Sequence, residues 1–183
     1  GGDVNEKATP FVYFPYETEE GVRDQARGGA ASLSLPYRVR SSAKNGFYSW
    51  AAQCGIPALL LERGGQGMWS EREIEAYKEN VLELMAHLKM TEMKKNVPEE
   101  QEEISQSYYL EAPERGFWYP AVKEAGQIIK KGELLGQLKS MDGTLIASYY
   151  AEAKSVILYY TVSLGVQAGD PLIAYGSLES GLM

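Results

Sequence analysis

The chain has 183 residues, 44% of them hydrophobic and 11% aromatic, enough to bury a sizeable core in one or two domains and too many for a disordered chain. A formal net charge of -7, with no local Lys/Arg cluster to offset it, argues against nucleic acid or an anionic membrane as partner. One cysteine and one histidine preclude an internal disulfide and are too few to build a zinc site from this chain. No stretch reads as a membrane span or a signal peptide, so a cytoplasmic location is expected.

The chain opens on Gly1-Gly2-Asp3-Val4-Asn5-Glu6 without an initiator methionine, as a sequence entered in the middle of a domain would. Prolines at 10 and 15 confine a β-branched and aromatic run, predicting a strand over Phe11–Phe14. A helix begins at Thr18-Glu19-Glu20 and puts Val22, Ala26 and Ala30 on one side, with acidic residues suited to its first turn. Residues Leu35 to Arg40 alternate apolar and basic side chains, a half-exposed strand. After Asn45-Gly46, a short aromatic helix runs from Phe47 to Cys54 and stops at Gly55. Cys54 is expected to be an inert packing residue.

The run Ile56-Pro57-Ala58-Leu59-Leu60-Leu61 ends on Glu62 and opens into Arg63-Gly64-Gly65-Gln66-Gly67. It predicts a short strand over Ala58–Leu61, buried on both faces, with Glu62 at its carboxyl end. In open α/β sheets the crevice beyond the strand ends is where ligands bind, and a half-desolvated glutamate there would be suited to moving protons. A strand ending on a charge because it is returning to solvent is the competing reading. Gly65-x-Gly67-x-x-Ser70 lies one residue from the dinucleotide fingerprint, but no parallel strand with an acidic tip is expected after the helix that follows.

Ser70-Glu71-Arg72-Glu73 has capping-box spacing and starts a long helix. Ile74, Tyr77, Val81, Leu84 or Met85, and Leu88 recur at helical period and predict its buried stripe. His87, one position off that stripe, reads as a rim histidine and not a ligand. The first domain is expected over 1–92 and a polar linker over 93–106. From 107 to 183, short apolar runs separated by Gly, Asp-Gly and Gly-Asp turns predict a small β-barrel or sandwich. Val122 to Gly136 and Val166 to Ile173 repeat one phrase and look like two halves of one sheet. This region resembles the biotinyl/lipoyl-like barrel. However, Glu152-Ala153-Lys154-Ser155 lacks the flanking residues of a carrier hairpin, which makes Lys154 a surface lysine.

Three pieces in order carry a wider resemblance: Gly1-Gly2-Asp3 with Pro10-Phe11-Val12, then Gly55-Ile56-Pro57 through Glu62-Arg63-Gly64-Gly65, then Gly116-Phe117-Trp118-Tyr119-Pro120. Together they resemble the succinylglutamate desuccinylase/aspartoacylase family over essentially the whole chain. That resemblance implies the C-terminal part of a carboxypeptidase-like α/β domain followed by a β-domain, in a zinc hydrolase that cleaves a linear amide of a small N-acyl amino acid or related amine. Glu62 matches the family's catalytic glutamate, which takes a proton from zinc-bound water and passes it to the leaving amine.

The family's His-x-x-Glu pair, its later zinc-binding His and its substrate-gripping Asn-Arg segment have no counterpart here. The expected zinc ligands therefore lie upstream of Gly1, zinc is expected in the full-length enzyme and none in these residues, and the chain alone is expected to be inactive. No substrate-binding residue is assigned. Arg63 departs from the family pattern and leaves the acyl group and amine open. A homo-oligomer, or association with the missing N-terminal part, is the expected state. The competing classes are a non-catalytic binding or scaffold module and a lipoyl-like carrier domain.

Overall fold

A computed structural model describes residues 3–92 and 101–178. Two compact units emerge: an α/β unit of residues 10–63 and 69–104, and a β unit of residues 1–9, 64–68 and 105–183. Two stretches expected in the first domain, residues up to Thr9 and 64–68, belong to the β unit instead.

In the α/β unit, β1 (Glu6–Pro15), β2 (Tyr37–Ser41), β3 (Leu60–Gly65) and β4 (Glu102–Ile104) surround helices α1 (Glu20–Ala31), α2 (Phe47–Gln53) and α3 (Glu71–His87). The second half of β1, Phe11 to Pro15, runs parallel to β2, and β2 runs parallel to β4. β3 pairs with β1. Alternation along a strand sends Val12 and Phe14 to one face, where they pack with Ala26, Ala30, Leu33 and Leu35, and with the partly buried Leu59, Leu61 and Leu84. α1 starts where the Glu19 carboxylate accepts from the Gly21 amide at 3.3 Å. α3 starts where Ser70 Oγ accepts from the Glu73 amide at 3.2 Å, so the capping-box spacing marked a real helix end.

Several expectations change here. Residues 93–100 of the expected linker lie outside the described residues, but Glu102–Ile104 form a strand, because Ile104 is fully buried and Glu103 pairs with arginines on α1 and β2. This strand is also parallel to β2, but it ends on Ile104 and so carries no acidic tip. The strand over Ala58–Leu61 begins at Leu60 and continues through Glu62, so Glu62 lies within β3 and not at its end. All six residues of β3 are half-buried and not buried on both faces, and among the described residues the strand has a partner on one edge only. Cys54, expected to be packed, is exposed at the end of α2.

The β unit contains the first residues of β1 and strands β5 (Ser107–Glu111), β6 (Gly116–Pro120), β7 (Ile128–Ile129), β8 (Leu134–Lys139), β9 (Leu145–Tyr150), β10 (Ser155–Thr161), β11 (Gly165–Val166) and β12 (Pro171–Ser177). Glu6 to Ala8 of β1 run antiparallel to β10, which is followed by β12 and β5, while β7 also pairs with β10. A second, antiparallel sheet has the order β11-β6-β8-β9. The two repeated phrases therefore do not build one sheet: each places one strand in each sheet (β7 and β8, then β11 and β12). Of the expected β-barrel or sandwich, the structure has two sheets, and no closed barrel is seen among the described residues.

Trp118, 1% exposed, anchors one core cluster with Leu138, Val166 and Leu172. Its indole N–H donates to the Thr161 carbonyl at 3.1 Å, so the buried donor is satisfied. None of the described helices is long and apolar enough to cross a membrane.

Candidate active site around Glu62

Glu62 and Arg63 are neighbours on β3, so their side chains leave opposite faces of the strand. Arg63 is drawn to α3. Its Nε donates to Glu73 Oε2 at 2.9 Å and its Nη1 makes a long 3.5 Å contact with Asn80 Oδ1. Its guanidinium carbon stands 6.0 Å from the centre of the Tyr77 ring. With a side chain only 12% exposed, Arg63 is a buried anchor and not a surface cation. Glu62 is half-buried on the strand. Its charge is felt nearby: burial pushes the Tyr77 hydroxyl above its usual pKa, and Glu62 adds to that shift while Arg63 opposes it.

Beneath Arg63 the polar contacts continue inward. Asn80 Nδ2 donates to Glu83 Oε2 at 3.0 Å and to Ser34 Oγ at 3.3 Å. The Ser34 amide donates to the same Glu83 oxygen at 2.8 Å. Asn80 and Glu83 are 2% and 1% exposed, while Glu83 Oε1 is buried without a hydrogen-bond partner. A buried carboxylate oxygen left unsatisfied costs on the order of 1–3 kcal/mol. The helix's fully buried residues, Asn80 and Glu83, are thus polar: Asn80 reaches Arg63 on β3 and Glu83 reaches Ser34. Sequence reading missed them, because Asn80 and Glu83 interrupt the apolar period and read as solvent-facing.

A second polar cluster lies on β2 and β4. Glu103 accepts from Arg27, Arg38 and Arg40, each at 2.8 Å. Burial alone would raise its pKa, but the three guanidinium hydrogen bonds prevail and hold it down at about 2. This carboxylate is consumed by structure. The glycine run is structural as well: a Cβ on Gly65 would lie 2.1 Å from the Glu6 carbonyl oxygen, so the run lets the backbone pass close to the start of β1.

Of the other residues singled out, His87 is half-buried against Gly28 of α1, at the edge of an apolar groove that also involves Leu59 and Leu84. Glu62 does not line that groove. Lys154 is exposed just before β10. Among the described residues no three His, Cys, Asp or Glu side chains are grouped to hold a metal.

The fold defined by these elements is that of succinylglutamate desuccinylase/aspartoacylase family proteins, as comparison with solved structures shows. The product-bound ectoine utilization protein EutE (DoeB) from Ruegeria pomeroyi superposes with a TM-score of 0.82 at 17% identity, over 97% of this chain and 56% of that one. A succinylglutamate desuccinylase/aspartoacylase from Rhodobacter sphaeroides gives 0.76 at 18% identity, over 94% and 55%. An aspartoacylase family protein from Mesorhizobium loti gives 0.74 at 15% identity, over 96% and 54%. The chain therefore spans little more than half the length of these solved chains. No protein-family model and no curated protein matches the sequence.

Proposed function

We propose that the chain is the C-terminal portion of a zinc-dependent amidohydrolase acting on a small N-acyl amino acid or related amide, with Glu62 as its proton-transfer group. The observation that carries this reading is Glu62 itself: the carboxylate singled out by the sequence resemblance is half-buried on β3, within a fold otherwise found in desuccinylase/aspartoacylase proteins. In this role Glu62 accepts a proton from the attacking water as the new C–O bond forms. It returns that proton to the nitrogen as the C–N bond breaks, so the carboxylate ends as it began. Arg63, turned to the opposite face and tied to Glu73, holds the strand against α3.

The described residues do not fit a zinc ion, because no three potential ligands are grouped. On this reading the ligands lie in sequence outside these 183 residues, and the chemistry assigned to this chain is confined to Glu62. Metal analysis of the purified 183-residue chain should find far less than one zinc per chain, and one tightly held zinc would overturn the reading. In the complete enzyme, Glu62→Gln should keep its zinc and lose about 100-fold or more in kcat. A near-normal kcat would remove Glu62 from the chemistry.

A further inference from the structure

The Glu103 carboxylate is used up by its neighbours, but the arginines around it are not. Arg27, Arg38 and Arg40 all direct Nε at its two oxygens, each at 2.8 Å. Beyond that, Arg38 Nη1 donates to Gln101 Oε1 at 2.6 Å and Arg40 Nη2 lies 2.8 Å from Glu103 Oε1. Every guanidinium nitrogen is a donor, so both Nη groups of Arg27, Nη2 of Arg38 and Nη1 of Arg40 have no acceptor among the described residues. Three guanidiniums against one carboxylate leave an excess of two positive charges. Nearby acids do not remove it. Glu20 and Asp24 are taken by Arg23, at 3.4 and 3.1 Å, and Glu102, one position before Glu103 on β4, leaves the opposite face of that strand. One guanidinium is enough to pair a carboxylate, whereas three gathered on one repel each other, and a further anion would offset that repulsion. The arrangement is also held in place: the Arg40 guanidinium lies 4.3 Å from the centre of the Tyr16 ring.

We propose that Arg27, Arg38 and Arg40 form a binding site for the phosphate group of a small soluble molecule, which accepts hydrogen bonds from their outer Nη groups. Charge favours phosphate over a lone carboxylate, because a phosphate group carries roughly 1.5–2 negative charges at neutral pH and so matches the excess. Shape favours it too. Its tetrahedral oxygens can accept from guanidiniums that arrive from α1 and β2, and the guanidinium fork suits phosphate oxygens. The bearer is a small molecule and not a nucleic acid or an anionic membrane, since the chain's net charge of -7 repels both. Arg27 is 49% exposed while Glu103 is only 10% exposed, so the carboxylate lies beneath and the donors meet solvent. No residue of β3 contributes to the cluster, which separates it from Glu62, and the inference does not rest on the amidohydrolase reading.

The test is calorimetric titration of inorganic phosphate into the intact gene product near neutral pH, with ionic strength held constant by chloride. Phosphate should bind with a Kd of about 1 mM or lower. Arg27→Gln removes the most exposed of the three guanidiniums and should weaken binding at least about tenfold. Arg23→Gln loses the same charge one turn earlier on α1, where the guanidinium is already paired, and should change binding by less than about twofold. Glu103→Gln removes the competing negative charge and should tighten binding; where that variant does not fold, the two arginine variants decide alone. No binding at about 10 mM phosphate would overturn the proposal. So would binding that Arg27→Gln leaves unchanged, as a phosphate held by a metal would be, or equal weakening by Arg23→Gln, which would mean diffuse attraction and no site. Binding to vesicles of phosphatidylglycerol in phosphatidylcholine that free phosphate does not compete away would give the arginines to a membrane surface and reject the small-molecule site. Hydrolytic activity does not enter any of these readouts, so failure here is separable from failure of the amidohydrolase reading.

Discussion

In the β unit large apolar side chains fill an interior: Trp118, Leu138 and Leu172 are each at most 1% exposed. In the α/β unit α3 leaves Val81, on its apolar stripe, 55% exposed and buries Asn80 and Glu83 instead. The same rule, that apolar residues seek burial, operates in both. The difference is where the partner surface lies. The β unit finds its partners within its own strands, whereas α3 satisfies only part of its demand there and fixes its inner face by polar contacts to Ser34 and Arg63. Period reveals which residues want a partner but not whether the chain supplies it.

The sharpest way to break this contrast is to empty the β unit's core. Trp118→Ala empties a filled site and leaves the Thr161 carbonyl without its indole donor, and should cost about 3–5 kcal/mol in urea unfolding. A loss below about 1 kcal/mol would mean the β unit is not packed as described. Next in size is Glu83→Ala, which strips the Ser34 amide and Asn80 Nδ2 of their shared acceptor and should cost about 2–3 kcal/mol by the same measurement. A neutral outcome would show that the polar anchoring of α3 does not stabilise it.

A smaller effect is expected from pH. Because the folded-state pKa of Glu103 is depressed to about 2 from an ordinary 4.5, its contribution is fully present above the unfolded value. It is lost as pH falls from about 4.5 towards 2. The urea midpoint of Glu103→Gln should therefore fall less steeply than that of the parent protein over this window, and parallel curves would reject the assignment. Smallest of all, Val81→Ala should change stability by no more than about 0.5 kcal/mol, since the side chain is exposed. A loss of 2 kcal/mol or more in the 183-residue chain would mean that α3's outer face is already covered, and would erase the contrast between the units.

Local signals in the sequence carried well. Ser70 with Glu73, the Asn45-Gly46 break and the β-branched and aromatic Phe11–Phe14 run all found their elements, because caps, turns and strand propensity depend on near neighbours. What could not be read were choices made by distant partners. Glu102–Ile104 became a strand only because Arg27, Arg38 and Arg40, more than 60 positions away, converge on Glu103. β3 was expected to be buried on both sides, yet it has one strand neighbour among the described residues. At the candidate site Glu62 was legible from its apolar run and trailing glycines. Glu73, Asn80, Glu83 and Ser34 were not, since a polar residue on a helix shows no sign of facing inward until its partner is known.

Gly65 has a consequence for how this sequence can drift. Its backbone sits at φ 146°, and any Cβ there would fall within 2.1 Å of the Glu6 carbonyl oxygen. Gly143 also has a positive φ, 87°, but nothing lies within 4 Å of where its Cβ would be. In a saturation library selected for folded protein, position 143 should admit asparagine and aspartate, which tolerate such a backbone. Position 65 should return glycine alone. Two residues that look interchangeable in the sequence thus differ in mutational freedom, one limited by torsion and the other by the lack of any room at all.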